Sequence, residues 1–184
     1  MTEARKNELV KDIIEHELKM FLAVNNAGGT SVCQEHPDSF RVMREMTHAV
    51  MNEAFLESYL NDLKEAEKAG RNLMTEKYAL MGGQIPPLND DEMLRNIVVV
   101  EGTWRRQVAE RFPRSVQPEG HQGFCLYLGS ELQTYSRKSL MLYEECMNAA
   151  RKEGRNLVQE RYEILMQKLG YGSLEQCEAK LAAQ

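Results

Sequence analysis

Four cysteines are all this 184-residue chain has, and no two of them are spaced as C-x-x-C. Cys33, Cys125, Cys146 and Cys177 therefore suggest neither a zinc site nor a disulfide frame. They read as reduced thiols, which places the chain in the cytoplasm. Basic charge is also short: 23 Lys and Arg stand against 28 Asp and Glu, a net −5. A phosphate-backbone partner needs a basic face, so the balance argues against nucleic acid. Long apolar runs are missing, and the start Met1-Thr2-Glu3-Ala4-Arg5-Lys6-Asn7-Glu8 is polar. Neither a signal peptide nor a membrane span is expected. Sustained strand-like alternation is absent as well, which leaves an all-α fold. At 42% hydrophobic residues the chain can bury one good core, so residues 1–184 are read as a single domain.

What the chain does have is a repeat. Gly70-Arg71-Asn72-Leu73 returns unchanged as Gly154-Arg155-Asn156-Leu157, an offset of 84 residues (70 to 154). At that offset Tyr59/Tyr143, Ala66/Ala150, Lys68/Lys152, Glu76/Glu160 and Tyr78/Tyr162 also match. Further out, Ile13/Ile97, Glu17/Glu101, Val24/Val108, Phe40/Phe124 and Leu56/Leu140 keep the register. The chain reads as a tandem duplication of a three-helix unit with pseudo-two-fold symmetry. The repeats span approximately 1–83 and 88–170, and Ser173-x-x-Gln176 caps a short C-terminal helix, 173–183.

Each repeat opens on a helix whose apolar stripe is interrupted by one acid. Val10, Ile13, Met20 and Val24 flank Glu17; Leu94, Ile97, Trp104 and Val108 flank Glu101. The glycines of Asn25-Asn26-Ala27-Gly28-Gly29-Thr30 are expected to end the first helix. A short helix over residues 40–51 follows, on Phe40, Met43, Met46/Thr47 and Val50, and its counterpart runs from Phe124 to about Tyr135. Asn52 and Ser136 are cap types for a third helix. Its stripe, Leu56, Tyr59, Leu63, Ala66, Gly70, Leu73, Lys77, Leu80, runs straight through the glycine and predicts one unbroken helix. The copy does the same up to Ile164, for seven helices in all. Ala66-x-x-x-Gly70 and Ala150-x-x-x-Gly154 suggest a close backbone crossing. Asn89-x-x-Glu92 resembles a capping box for the fourth helix.

The combination of Val24-Asn25-Asn26, Cys33-Gln34, the two GRNL helices, Glu131-Leu132-Gln133-Thr134-Tyr135-Ser136 and Leu169-Gly170-Tyr171 resembles an uncharacterised family of bacterial all-helical proteins. The likeness covers nearly the whole chain. It implies a bacterial, cytoplasmic, helical protein and supplies no catalytic residues to carry over.

Chemistry is expected where the two stripe acids lie. A carboxylate facing a core needs a partner, and arginine meets both its oxygens. The repeat is expected to bring Glu17, Glu101, Arg71, Asn72, Arg155 and Asn156 together, with Tyr59, Tyr143, Glu76 and Glu160 as neighbours and Trp104 one turn from Glu101. One reading is a pocket between the repeats that binds a small polar or amphipathic ligand. Another is an enzyme using the carboxylates as acid and base. In a third the ion pairs only fix helix register, within a structural or interaction module. Catalytic residues, cofactor and oligomeric state stay unassigned.

Metal is the weaker alternative. Glu45-x-x-His48 has the spacing of ferritin-like di-iron helices, but the second repeat offers Glu131-x-x-Thr134 and no histidine, so no metal ligands are assigned. Arg41 and His48 loosely resemble the Arg/His motif of helical RNA-cleaving domains, against the acidic balance. His16, His36 and His121 read as surface or hydrogen-bonded side chains. The eleven methionines suit an adaptable core or an apolar groove, with core the plainer reading.

Overall fold

Asparagine, serine and glycine set the helix boundaries. The computed structural model describes residues 2–25 and 31–184. Among them the regular structure is helical, without strands. The first half comprises α1 (Glu3–Leu22), a 3-10 turn (Val32–Glu35), α2 (Pro37–Ala49), α3 (Glu53–Lys68) and α4 (Leu73–Met81). The second comprises α5 (Glu92–Arg111), a 3-10 turn (Pro118–Gly120), α6 (His121–Leu132), α7 (Arg137–Lys152) and α8 (Leu157–Lys168), and α9 (Leu174–Ala182) closes the chain. The all-α expectation therefore holds. No helix among the described residues is long and apolar enough to cross a membrane. The glycine pair expected to end α1 lies outside the described residues.

Thr2, Asn52, Ser136 and Ser173 each accept a hydrogen bond from the backbone N–H three residues on, satisfying a donor that the first turn leaves open. α5 differs from expectation: its cap is Asp91, which accepts from Met93 N–H at 3.0 Å. Asn89 instead holds the turn before it, accepting from Asp91 N–H at 2.9 Å.

The long third helix of each repeat proves to be two helices. Gly70 and Gly154 both adopt φ +70°, in the left-handed region that ends an α-helix and that L side chains resist. Around them, Arg71 N–H donates to Ala66 O at 2.8 Å and Gly70 N–H to Glu67 O at 3.1 Å. Arg155 N–H donates to Ala150 O at 2.9 Å and Gly154 N–H to Arg151 O at 3.1 Å. These paired bonds consume the last carbonyls of α3 and α7 and turn the chain. Asn72 and Asn156 then cap α4 and α8, each side-chain oxygen accepting an N–H at 2.9 Å. Their amides reach back to the first helix of the repeat: Asn72 Nδ2 donates to Met20 O at 2.8 Å, Asn156 Nδ2 to Trp104 O at 3.2 Å. GRNL is thus a stop, a solvent-facing arginine, a cap and a buried leucine. No close crossing occurs at the glycines, since a Cβ added at Gly70 or Gly154 would meet nothing within 4 Å. They are needed for their φ, not their size.

The halves are interleaved. α3 lies against α7, α2 against α8 and α4 against α6, while α1 packs on α2–α4 and α5 on α6–α8. A continuous apolar core draws on both, from Leu9, Ile13, Leu56 and Leu63 to Ile97, Leu140, Met147 and Leu157. A second cluster, including Val108, Phe112, Met166, Leu174 and Cys177, seats α9.

Replacing Gly70 or Gly154 by Ala is expected to lower stability by about 1–2 kcal/mol each, the cost of forcing an L residue into a left-handed conformation. The double variant is expected to lose about the sum. Urea unfolding checks this, and a rise in stability would restore the unbroken helix.

Candidate ligand site

Glu17 and Glu101 lie inside the protein, both at 0% exposure. α1 and α5 turn these positions toward the core because their stripes do, so each acid arrives where a methyl group would ordinarily pack. Each is met by the tyrosine of its own half. Tyr59 on α3 donates to Glu17 Oε1 at 2.8 Å, and Tyr143 on α7 donates to Glu101 Oε1.

The cations come from elsewhere. Arg44 on α2 meets Glu17 with both arms of its fork, Nε to Oε2 at 2.9 Å and Nη2 to Oε1 at 2.7 Å. The same guanidinium crosses to the other half, pairing with Glu131 on α6 and donating to Tyr127 Oη at 3.2 Å. His48, one turn along α2, places Nε2 3.1 Å from Glu17 Oε1. Tyr135 Oη donates to Glu131 Oε1 at 3.2 Å. Lys77 on α4, at 0% exposure, donates to Tyr127 Oη at 2.8 Å and sits 4.3 Å over that ring. In the second half, Arg161 on α8 donates to Glu101 Oε2 at 2.7 Å and to Tyr143 Oη at 3.1 Å. It also crosses the halves, to the Thr47 carbonyl of α2 at 3.2 Å.

Charge pairing decides the protonation states. Burial would raise the Glu17 carboxyl, but Arg44 and then His48 hold it well below the usual range. Glu131 feels the same opposition between burial and Arg44, helped by Lys77, and comes down to about 2. Burial lowers the Lys77 ammonium and raises the Tyr59, Tyr127, Tyr135 and Tyr143 hydroxyls, so the phenols stay neutral. Tyr59, Tyr135 and Tyr143 donate to carboxylates, while Tyr127 accepts from Arg44 and Lys77.

Both networks border one cleft. It has a volume of about 260 Å³ and opens between α2 and the helices of the second half. Arg44, Glu101, Glu131, Tyr143 and Arg161 supply its polar side; Met43, Met46, Phe124, Leu128, Val158 and Tyr162 supply apolar walls. The apolar stripe of α2 is divided: Phe40 and Val50 pack on the core, Met43 and Met46 border the cleft with Met43 46% exposed, and Arg44 and His48 point inward at 2% and 1%.

Of the residues expected together, Glu17, Tyr59, Glu101 and Tyr143 do lie inside, with Glu17 and Tyr59 behind Arg44 and Glu101 and Tyr143 at the cleft. The GRNL arginines do not join them. Arg71 forms a two-armed pair with Glu76 at 2.9 and 2.8 Å, and Arg155 pairs with Glu160 at 2.8 and 2.9 Å, all at the surface. Five residues separate each pair along the chain, so the turn at the glycine satisfies the arginine locally. Asn72 and Asn156 are spent on capping, and Trp104 is packed in the core. Glu45 and His48 diverge: Glu45 meets Lys168 at 2.7 Å on the surface while His48 faces Glu17. Arg44 occupies both oxygens of Glu17 beside His48. No cluster of three or more His, Cys, Asp or Glu able to hold a metal occurs among the described residues. Arg41 pairs with Glu15 and Asp38, away from His48.

Sequence reasoning overlooked Arg44, Glu131, Tyr127, Lys77 and Arg161 as partners of the acids. A signal existed for two of them, since Lys77 and Arg161 occupy equivalent positions in an otherwise apolar stripe, as the acids do.

The chain belongs to the family described as protein of unknown function (DUF4125), whose model matches residues 7–179. Searches of curated proteins and of solved structures return no match.

An Arg44→Met variant is expected to lose about 3–5 kcal/mol at pH 7, because Glu17 and Glu131 stay buried without their guanidinium. The pH response is expected to change sign. In the parent, two carboxyls held below their ordinary value of 4.5 lend stability that is present above that pH and lost as the pH falls toward about 2. In the variant burial dominates, the folded-state values rise, and acidification from pH 7 toward 5 restores stability. Urea midpoints from pH 7 down to about 2 measure both slopes.

Proposed function

We propose that the protein binds a small amphipathic molecule in the cleft between α2 and the second half. The carrying observation is the composition of that cleft: two Glu–Arg pairs and tyrosine hydroxyls on one side, methionine, leucine, valine and phenylalanine on the other, in about 260 Å³. A site with mostly apolar walls and a few fixed polar groups suits a ligand with a hydrophobic body and a polar end. The charges there are balanced, Arg44 with Glu17 and Glu131, Lys77 beside them, and Arg161 with Glu101. That balance favours an uncharged or zwitterionic head over a strongly ionic one. Met43 and Met46 give the mouth adaptable surface. Residence in the cytoplasm fits the four free thiols.

The reading as an acid–base enzyme draws less support. A carboxyl held near pH 2 by an arginine is a poor proton acceptor at neutral pH, and Glu17 has no access to a substrate. In the purely structural reading the same pairs only fix helix register, and the cleft takes up nothing.

Titration with the neutral dye N-phenyl-1-naphthylamine separates these readings. Saturable fluorescence enhancement is expected, weakened at least about tenfold by Leu128→Trp, which fills the cleft from its apolar side. Unsaturable binding, or binding indifferent to Leu128→Trp, would sink the proposal. Native mass spectrometry of freshly purified protein is expected to show a retained small molecule of the same class.

A further inference from the structure

Three buried side-chain nitrogens find no hydrogen-bond partner among the described residues: Nε and Nη1 of Arg105, and Nδ1 of His121. Both residues line one cleft of about 280 Å³, with Arg106, Ala109, Glu110 and Pro118 completing it. Arg105 is only 6% exposed. Its remaining nitrogen, Nη2, donates to the Gln117 carbonyl at 2.9 Å, and the guanidinium lies 5.7 Å from the Phe124 ring centre. A carbonyl and a ring satisfy geometry but do not cancel a charge, and a buried cation without an anion is costly.

The fold does not require these residues. At the repeat offset Arg105 corresponds to Phe21, and Phe124 to Phe40; in the first half the two phenylalanines stack at 4.4 Å. Apolar packing fills the same place there. The second half has exchanged one ring for a cation and has put His121 where the first has Pro37. The surroundings hold both side chains in place. A Cβ on Gly120 would lie 2.6 Å from Arg105 Nη2, and one on Gly102 would lie 3.3 Å from the His121 ring. His121 Nε2 lies 3.7 Å from Cys125 Sγ, so the tautomer that accepts the thiol proton leaves Nδ1–H free to donate. Burial, then Arg106 and Arg105, hold the imidazole below its ordinary value, so it is a neutral donor at pH 7.

We infer that this cleft, formed by α5 and the start of α6, is a second binding site, for the phosphate of a small phosphate monoester. Arg105 Nε and Nη1 and His121 Nδ1 supply three donors from two elements, and Arg106 supplies a further charge at the rim. That set suits the three oxygens of a phosphate better than the two of a carboxylate. Ala109 and Pro118 offer apolar contact to the ester group. Glu110, also at the rim, disfavours long polyanions, in keeping with the acidic balance of the chain. The inference is independent of the amphipathic-ligand reading, because the two clefts share no lining residue.

Calorimetric titration of the full chain with phenyl phosphate, inorganic phosphate and benzoate tests it. Phenyl phosphate is expected to bind saturably, with affinity reduced at least about tenfold in Arg105→Met and measurably in Arg106→Gln, and unchanged in Leu128→Trp. Arg106 is exposed, so that variant keeps the test sound if Arg105→Met folds poorly. The Arg105 Nε–H resonance is expected to shift on titration in the parent protein. Absence of binding, equal binding of benzoate, or an affinity that neither arginine substitution lowers overturns the inference.

Discussion

A carboxylate shut away from water must bring its counter-charge inside with it, and among its described residues this protein buries three: Glu17, Glu101 and Glu131. Glu17 and Glu101 stand where apolar side chains would otherwise continue the stripes of α1 and α5. Neither is tolerable alone, since desolvating an unpaired ion costs several kcal/mol. The tyrosine of the third helix supplies one hydrogen bond to each, but a neutral donor leaves the charge in place. The placement of α2 and α8 therefore matters to the two acids, because those helices carry Arg44 and Arg161. Each arginine also reaches the other half, Arg44 to Glu131 and Arg161 to the Thr47 carbonyl. The ion pairs thus tie the two halves together, and a displacement of one half would expose or orphan charge in the other.

The halves solve the same problem differently. At the position of Arg44 the second half has Leu128, and at the position of Arg161 the first has Lys77. Glu17 therefore draws its arginine from the short second helix, Glu101 from the helix after the glycine turn. This exchange shapes the cleft: an apolar residue at 128 leaves a wall where an arginine would have projected, while Arg44 and Arg161 close the polar side. Lys77, deprived of a carboxylate within ion-pair reach, rests on the Tyr127 ring and hydroxyl instead. The differences between the two halves at these positions, more than their likeness, give the cleft its apolar and polar sides.

The GRNL segments illustrate how a repeated motif misleads about its role. Their exposed arginines looked like partners for the buried acids because arginine is what such acids need. Backbone geometry answers otherwise. A glycine at φ +70° ends the helix, and the chain turns so that Arg71 and Arg155 find Glu76 and Glu160 five residues on. Their positions are fixed by local chain reversal, and local reversal puts them at the surface.

Much was nonetheless legible. Helical periodicity gave α1, α5 and the general course of the chain; cap residues gave Asn52, Ser136 and Ser173; the offset of the repeat gave the two acids and the two tyrosines that hold them. Those features depend on neighbours within a few residues, or on comparing one half with the other, so the sequence by itself determined them. Whether a glycine is passed through or turned upon depends on backbone dihedrals that a periodic stripe does not record. Which row of α2 faces inward was beyond periodicity too, because that helix has an apolar row and an ionic row and the ionic one is buried. Only the tertiary structure decided it, since Arg44 is drawn inward by Glu17 and Glu131, residues 27 and 87 positions away along the chain.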